Sequence, residues 1–139
     1  MKFTYKYYFK PRHSDFDNYE IAHHSKFLCW FEEARYECFE QFQEYFDAIT
    51  RKYIMPVTKL DCKYYQMVTS VDKMLVIVSL DVPITSSILH LNYRLMDSDE
   101  KRLYAKGYTE HVFMNEDREL VTSVPEEFLK LVEYITSQE

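Results

Sequence analysis

Phe3, Tyr5, Tyr7 and Phe9 alternate with Thr4, Lys6, Tyr8 and Lys10 near the start of the chain. A period of two in residues that favour pleated backbone predicts a strand over 3–10, closed by Pro11. A polar stretch follows, and then the spacing changes. From Ser25 to Phe46, apolar residues recur at Phe27, Trp30, Phe31, Ala34, Cys38, Phe42, Tyr45 and Phe46, with Glu32, Glu33, Arg35, Glu40 and Gln43 on the other faces. That spacing predicts an amphipathic helix over 25–46, N-capped by Ser25, whose broad apolar stripe suits it to lie across a sheet. A short second helix is expected over 47–53, and Met55-Pro56 marks a break.

Strand-like segments then run over 57–65, 71–82, 87–96 and 102–114, with turn-like connections at 98–101 and 115–118. In the second of these, Leu75, Ile77 and Ser79 alternate with Met74, Val76, Val78 and Leu80, so both faces are largely apolar, as in a central strand covered on each side. Near the end, Ser123 followed by Glu126 has the form of a capping box, Pro125 suits a first turn, and Phe128, Leu129, Val132 and Ile135 form a helical stripe. No helices alternate with the later strands. The class is therefore α+β, one long helix wrapped by a curved antiparallel sheet of about five or six strands.

Composition narrows the chemistry. The 139 residues suit one domain spanning 1–139. Gly107 is the only glycine, which excludes glycine-rich phosphate loops and dinucleotide fingerprints. A net charge of −6 without a Lys/Arg cluster in the sequence argues against nucleic-acid binding. No apolar run reaches the ~18 residues of a membrane span. Cys29, Cys38 and Cys62 are odd in number and fit no zinc spacing. With no signal-peptide pattern, they are expected to be reduced thiols of a cytoplasmic protein, Cys29 and Cys38 buried on the helix as small hydrophobes. No cofactor is expected.

The polar stretch "HSDFDNYEIAHHSKF", His13 to Phe27, concentrates the ionisable groups. Three chemistries compete for it. His23 and His24 are adjacent and diverge on a regular element, no HExxH-like spacing is present, and His90 and His111 lie on distant strands, so no metal site is expected. No serine has the flanking glycines of a nucleophile elbow. A carboxylate acting as general base fits better. Asp15 and Asp17 alternate on an extended approach, so one faces inward and the other solvent. The helix terminus that follows offers free amides able to polarise a carbonyl. The same residues also serve as ordinary caps and turn formers.

The run "SDFDNYEIAHHSKFLCWFEEAR" resembles the signature of the 4-hydroxybenzoyl-CoA thioesterase-like acyl-CoA thioesterases of the hotdog fold. Asp15, Asp17, His24, Phe27, Leu28, Trp30, Phe31, Glu32, Ala34 and Arg35 match the pattern without a gap. "MPVTKLDCKYYQMVTSVDKMLVIVSL" and "LYAKGYTEHVFMNEDRELVTSVPEEF" resemble later segments of the family. The resemblance implies hydrolysis of an acyl-CoA thioester, with Asp17 as general base or nucleophile. It implies that amides around His24 and Ser25 polarise the carbonyl, and that His24 contacts the thioester or Asp17. Two protomers would form a continuous sheet, in a homodimer or homotetramer with active sites at the interface. Asp15 would be a structural acceptor, His23 exposed, Phe27 a wall of the acyl pocket, and Ser86 and Ser87 donors to pantetheine. Glu20 stands where the family has a glycine. It narrows the site, adds a second carboxylate, or leaves an acyl-binding protein without turnover.

Overall fold

The computed structural model describes residues 1–69 and 72–138. Strand β1 (Lys2–Phe9) leads through a single 3-10 turn at 13–15 to helix α1 (His24–Glu40) and helix α2 (Gln43–Thr50). Strands β2 (Val57–Tyr64), β3 (Met74–Asp81), β4 (Leu89–Asp97) and β5 (Leu103–His111) follow, then a two-residue pair, β6 (Phe113–Met114) and β7 (Leu120–Val121), and helix α3 (Glu126–Ser137). The first five strands form one antiparallel sheet in the order β1-β3-β4-β5-β2. It curves around α1, which is the hotdog arrangement that the resemblance implies.

The period of two builds the inner face. Tyr5, Val78, Tyr93, Gly107 and Cys62 stand opposite one another across the five strands. Phe27, Trp30, Phe31, Ala34, Cys38 and Phe39 of α1 are buried against this face. Gly107 lets the helix approach closely. A Cβ there would lie 2.5 Å from a ring carbon of Phe31, which stacks on Tyr93 at 5.0 Å. Leu75 and Met96 are buried on the opposite face, so the central strand is covered on both sides there.

Several element boundaries differ from the sequence reading. The helix expected over 25–46 stops at Glu40, and α2 begins at Gln43 instead of 47. Phe42 leaves helical geometry at the junction. The kink stacks Phe39 on Phe46 at 4.8 Å and places Phe42 against Phe3 and Tyr134. A straight helix would carry these rings off the end of the core. Ser25 is not the N-cap. His23 is, its Nδ1 accepting from the Ser25 amide, and the helix starts at His24. Ser123 does not cap α3 either, because Pro125 precedes the first turn and its carbonyl takes the Phe128 and Leu129 amides. The buried stripe of α3 is Phe128, Leu131, Val132 and Ile135, leaving Leu129 exposed. Cys29 is exposed, whereas burial pushes the Cys38 thiol up to about 12. The expected strand over 102–114 divides after His111, and Val71, the expected start of β3, lies outside the described residues.

The turns hold as expected. Asp97 Oδ1 accepts from the Lys101 and Arg102 amides, and Asn115 Oδ1 from those of Asp117 and Glu119. Glu100 and Arg118 adopt φ of 57° and 60° there.

Candidate active site

Asp15 and Asp17 divide the labour of the approach loop. Asp15 is buried and accepts from the Arg12 amide at 2.9 Å and from Trp30 Nε1 at 3.3 Å, with Lys26 Nζ 3.9 Å away. Its own carbonyl accepts the His23 amide at 3.1 Å. It therefore pins the loop to α1. Asp17 is exposed. Its Oδ1 accepts from the Tyr19 and Ile21 amides at 2.8 and 3.1 Å, and Ile21 O accepts the Asp17 amide at 3.0 Å. Glu20 closes this loop with φ of 62°, and its amide donates to Asp17 O at 3.0 Å. The position where the family carries glycine thus has the left-handed backbone that favours glycine. Asp17 Oδ2 has no hydrogen-bond partner among the described residues.

Helix α1 begins seven residues beyond Asp17 and returns beside it because Ala22 N donates to Val68 O and His23 N to Asp15 O. At the first turn, the Ser25 amide goes to His23 Nδ1 at 3.3 Å and the Lys26 amide to His23 O at 2.9 Å. The first amides of a helix lack intrahelical acceptors. The His24 amide donates to no group among the described residues.

A cavity of about 440 Å³ opens here, within the size range of small-molecule sites. Asp17, His24 and Phe27 line it together with Ile21, Tyr64 and Tyr65. Phe27 is buried between Trp30 and Tyr64, at 5.3 and 5.1 Å between ring centroids. Tyr64 reaches over from the edge strand β2, its hydroxyl donating to His24 O at 3.1 Å. Burial and the Cys62 thiol push its pKa up to about 12, so it remains a donor at neutral pH. Sequence reasoning missed Tyr64 and Tyr65. The only signal was aromatic residues at the end of a strand, which has no periodic relation to the loop.

The protomer brings together Asp17, His24 and Phe27 of the expected site residues, and not the others. Glu20 points to solvent, and Ser25 Oγ turns away to bond His23 Nδ1 at 2.8 Å. Ser86 belongs to a different cavity, with Pro83, Ile84 and Ile88, where its hydroxyl accepts the Ile88 amide at 3.1 Å; Ser87 adjoins it in the same loop. His23 and His24 face each other at 4.2 Å between ring centroids, and no group of three metal-ligating side chains converges among the described residues. Among the described residues Glu32 and Arg35 form no ion pair. Glu32 accepts from Tyr36, and Arg35 turns inward.

That inward turn starts a buried chain at the other end of β2. Arg35 Nη1 donates to Tyr93 OH at 3.3 Å, Tyr93 OH meets Thr109 Oγ1 at 2.8 Å, Thr109 Oγ1 meets His111 Nε2 at 2.9 Å, and His111 Nδ1 meets Met55 O at 3.1 Å. The Met55 carbonyl only accepts, so His111 carries its proton on Nδ1 and accepts on Nε2. Every donor then points the same way, from Arg35 to Met55. Burial, reinforced by the Arg35 charge, depresses the His111 pKa and keeps the ring neutral.

A family model described as the Thioesterase-like superfamily matches residues 11–132, most of the chain. No curated protein matches. Among solved structures, a DHNA-CoA thioesterase from Staphylococcus aureus superposes with a TM-score of 0.78 at 19% identity, covering 97% of this chain and 89% of that one. A 1,4-dihydroxy-2-naphthoyl-CoA thioesterase from Synechocystis gives 0.73 at 16% identity over 93% and 95% of the two chains. A gentisyl-coenzyme A thioesterase gives 0.71 at 18% identity over 89% and 98%.

Proposed function

The chain belongs to the thioesterase-like superfamily, and from that premise we propose that it hydrolyses an acyl thioester in the cavity beside Asp17. The observation that carries the reading is the asymmetry of the Asp17 carboxylate. Oδ1 is fixed by two backbone amides, which orient the group. Oδ2 is left to meet a water or the thioester carbonyl. In the base role it takes a proton from water as the oxygen attacks the carbonyl carbon; in the nucleophile role it attacks that carbon itself. Either step puts negative charge on the carbonyl oxygen. The unbonded His24 amide at the start of α1 is the donor for that charge, aided by the helix dipole. The His24 ring, Phe27 and Tyr64 enclose the acyl group, and the thiolate leaves as the tetrahedral intermediate collapses; in the base role Asp17 returns its proton to the thiolate, and in the nucleophile role water cleaves the resulting mixed anhydride and restores the carboxylate.

Three CoA thioesterases among the structural neighbours support coenzyme A as one carrier of the acyl group. The reading of Glu20 as the mark of an inactive, acyl-binding site finds less support, because the loop accepts Glu20 with both Asp17 Oδ1 bonds in place. The edge strand β2 supports assembly. Val57, Leu60 and Tyr64 are exposed along it, and one edge of its backbone has no neighbouring strand among the described residues. A second copy pairing there would extend the sheet and bring its own residues to the cavity.

The test is hydrolysis of a panel of acyl-CoAs followed by thiol release, with Asp17→Asn as the comparison. Asparagine offers the same oxygen to the Tyr19 and Ile21 amides, so the loop keeps its form. Turnover is expected to fall about a thousandfold with the circular dichroism spectrum unchanged. Equal rates in the two proteins would remove Asp17 from the reaction.

A further inference from the structure

Across the outer face of the sheet, Lys6, Ile77, Arg94, Lys106 and Lys63 stand opposite one another in register. They alternate along each strand with the residues buried against α1, so they point away from it. Arg94, Lys106 and Lys63 therefore place like charges directly opposite on three adjacent strands, an arrangement that opposes sheet formation. All three are exposed. No carboxylate of the described residues lies within ion-pair distance of any of them. Acidic groups of the same face are turned elsewhere: Glu100 to Lys6 at 2.7 Å, Asp61 to Lys59 at 3.8 Å, and Glu110 to the His90 ring at 3.7 Å. An acidic chain thus keeps an uncompensated basic row, and the row begins at the cavity rim. Lys63 Nζ lies 5.3 Å from the ring centroid of Tyr65, and Tyr65 lines the Asp17 cavity.

We propose that this row docks an acidic acyl carrier protein, which delivers its acyl group to Asp17 on a phosphopantetheine arm. The proposal rests on the thioesterase reading above. The net charge of −6 does not oppose it at contact, because exposed charges beyond roughly 8–10 Å are screened and the local row decides the encounter. The spacing fits a helix. Adjacent strands lie ~4.8 Å apart, and carboxylates at i, i+3 or i+4 and i+7 of one helix face are separated by about 5–6 Å. The nucleotide of coenzyme A, the other anionic carrier, is held in concave sites. Arg94 and Lys106 lie on the open side of the sheet outside the cavity, and the loop at 82–88 contains no Lys or Arg.

The test compares one acyl group on three carriers: a holo acyl carrier protein, coenzyme A and pantetheine. The variant is Arg94→Glu/Lys106→Glu, two exposed side chains away from the cavity lining. In the wild-type protein the carrier-protein thioester is expected to show the highest kcat/KM, falling with added salt. The variant should lose at least about tenfold on that substrate through KM, while acyl-pantetheine stays within about twofold. Equal kcat/KM on carrier protein and pantetheine, or no change in the variant, overturns the docking surface and leaves the thioesterase reading standing. A loss confined to acyl-CoA also overturns it, since the row would then hold the nucleotide. If no thioester is hydrolysed, the thioesterase reading fails. Titration of the holo carrier protein at low salt then decides the docking alone: binding by the wild type that the variant loses supports it, and absence of binding overturns it.

Discussion

Glu20 holds φ of 62° between the two amides that fix Asp17. A residue with a Cβ costs about 1–2 kcal/mol in that region, and glycine costs about 0.5–1 kcal/mol in lost chain entropy. The difference favours glycine, and the Glu20 side chain is exposed. Glu20→Gly is therefore expected to stabilise the fold by about 0.5–1 kcal/mol, read as a higher urea midpoint at unchanged slope. A lower midpoint would show that the Glu20 side chain contributes something its exposure conceals. The residue scale is also where the sequence was most informative. That Asp17, His24 and Phe27 share one cavity was legible because the loop and the helix start are contiguous in the chain. Tyr64 was not, because it joins them by a hydrogen bond spanning 40 residues.

Among elements, the seating of α1 on the sheet depends on the chain's one glycine. A methyl group at position 107 would lie 2.5, 2.8 and 3.1 Å from three atoms of the Phe31 ring, itself held against Tyr93. Gly107→Ala should destabilise by about 1–3 kcal/mol, measured by urea unfolding, because ring or helix must move. The polar chain from Arg35 to Met55 ties the same helix to β4, β5 and the entry to β2. Its acid sensitivity has a definite sign. The folded pKa of His111 is depressed below its ordinary 6.5, so the unfolded chain binds the proton more readily. The stability this confers is complete above about pH 6.5 and is lost as pH falls through the lower folded value. In His111→Gln that part of the acid limb should vanish, so the stability gap from wild type narrows as pH falls below 6.5. Helix periodicity revealed α1 but not its break after Glu40, since Phe39, Phe42 and Phe46 continue an apolar stripe whether or not the axis turns. The direction of the axis is set by where Phe3 and Tyr134 wait to receive Phe42.

For the whole molecule, the two faces of the sheet have separate tasks. The inner face buries α1, and the outer face carries the basic row. The edge strand β2 joins them, with Tyr64 turned to the cavity and Lys63 to the row. Pairing of β2 with a second copy predicts a solution mass of at least twice 17.0 kDa by light scattering; a monomer at micromolar concentration would contradict it. Strand order was legible only as a class. Alternation shows which residues share a face, whereas the register that aligns Arg94, Lys106 and Lys63 is a property of pairing between strands.

The placement of glycine has a consequence for heat tolerance. The one glycine sits inside a strand without positive φ, and the three left-handed positions among the described residues belong to Glu20, Glu100 and Arg118. Glu100 has a reason to remain in its ion pair with Lys6. Among the described residues Glu20 and Arg118 have no ion pair, and they lie on different loops, so glycine at both should act additively. Melting is expected to rise by roughly 3–8 °C for the pair. Heat tolerance can therefore be raised at two exposed turns with the core untouched.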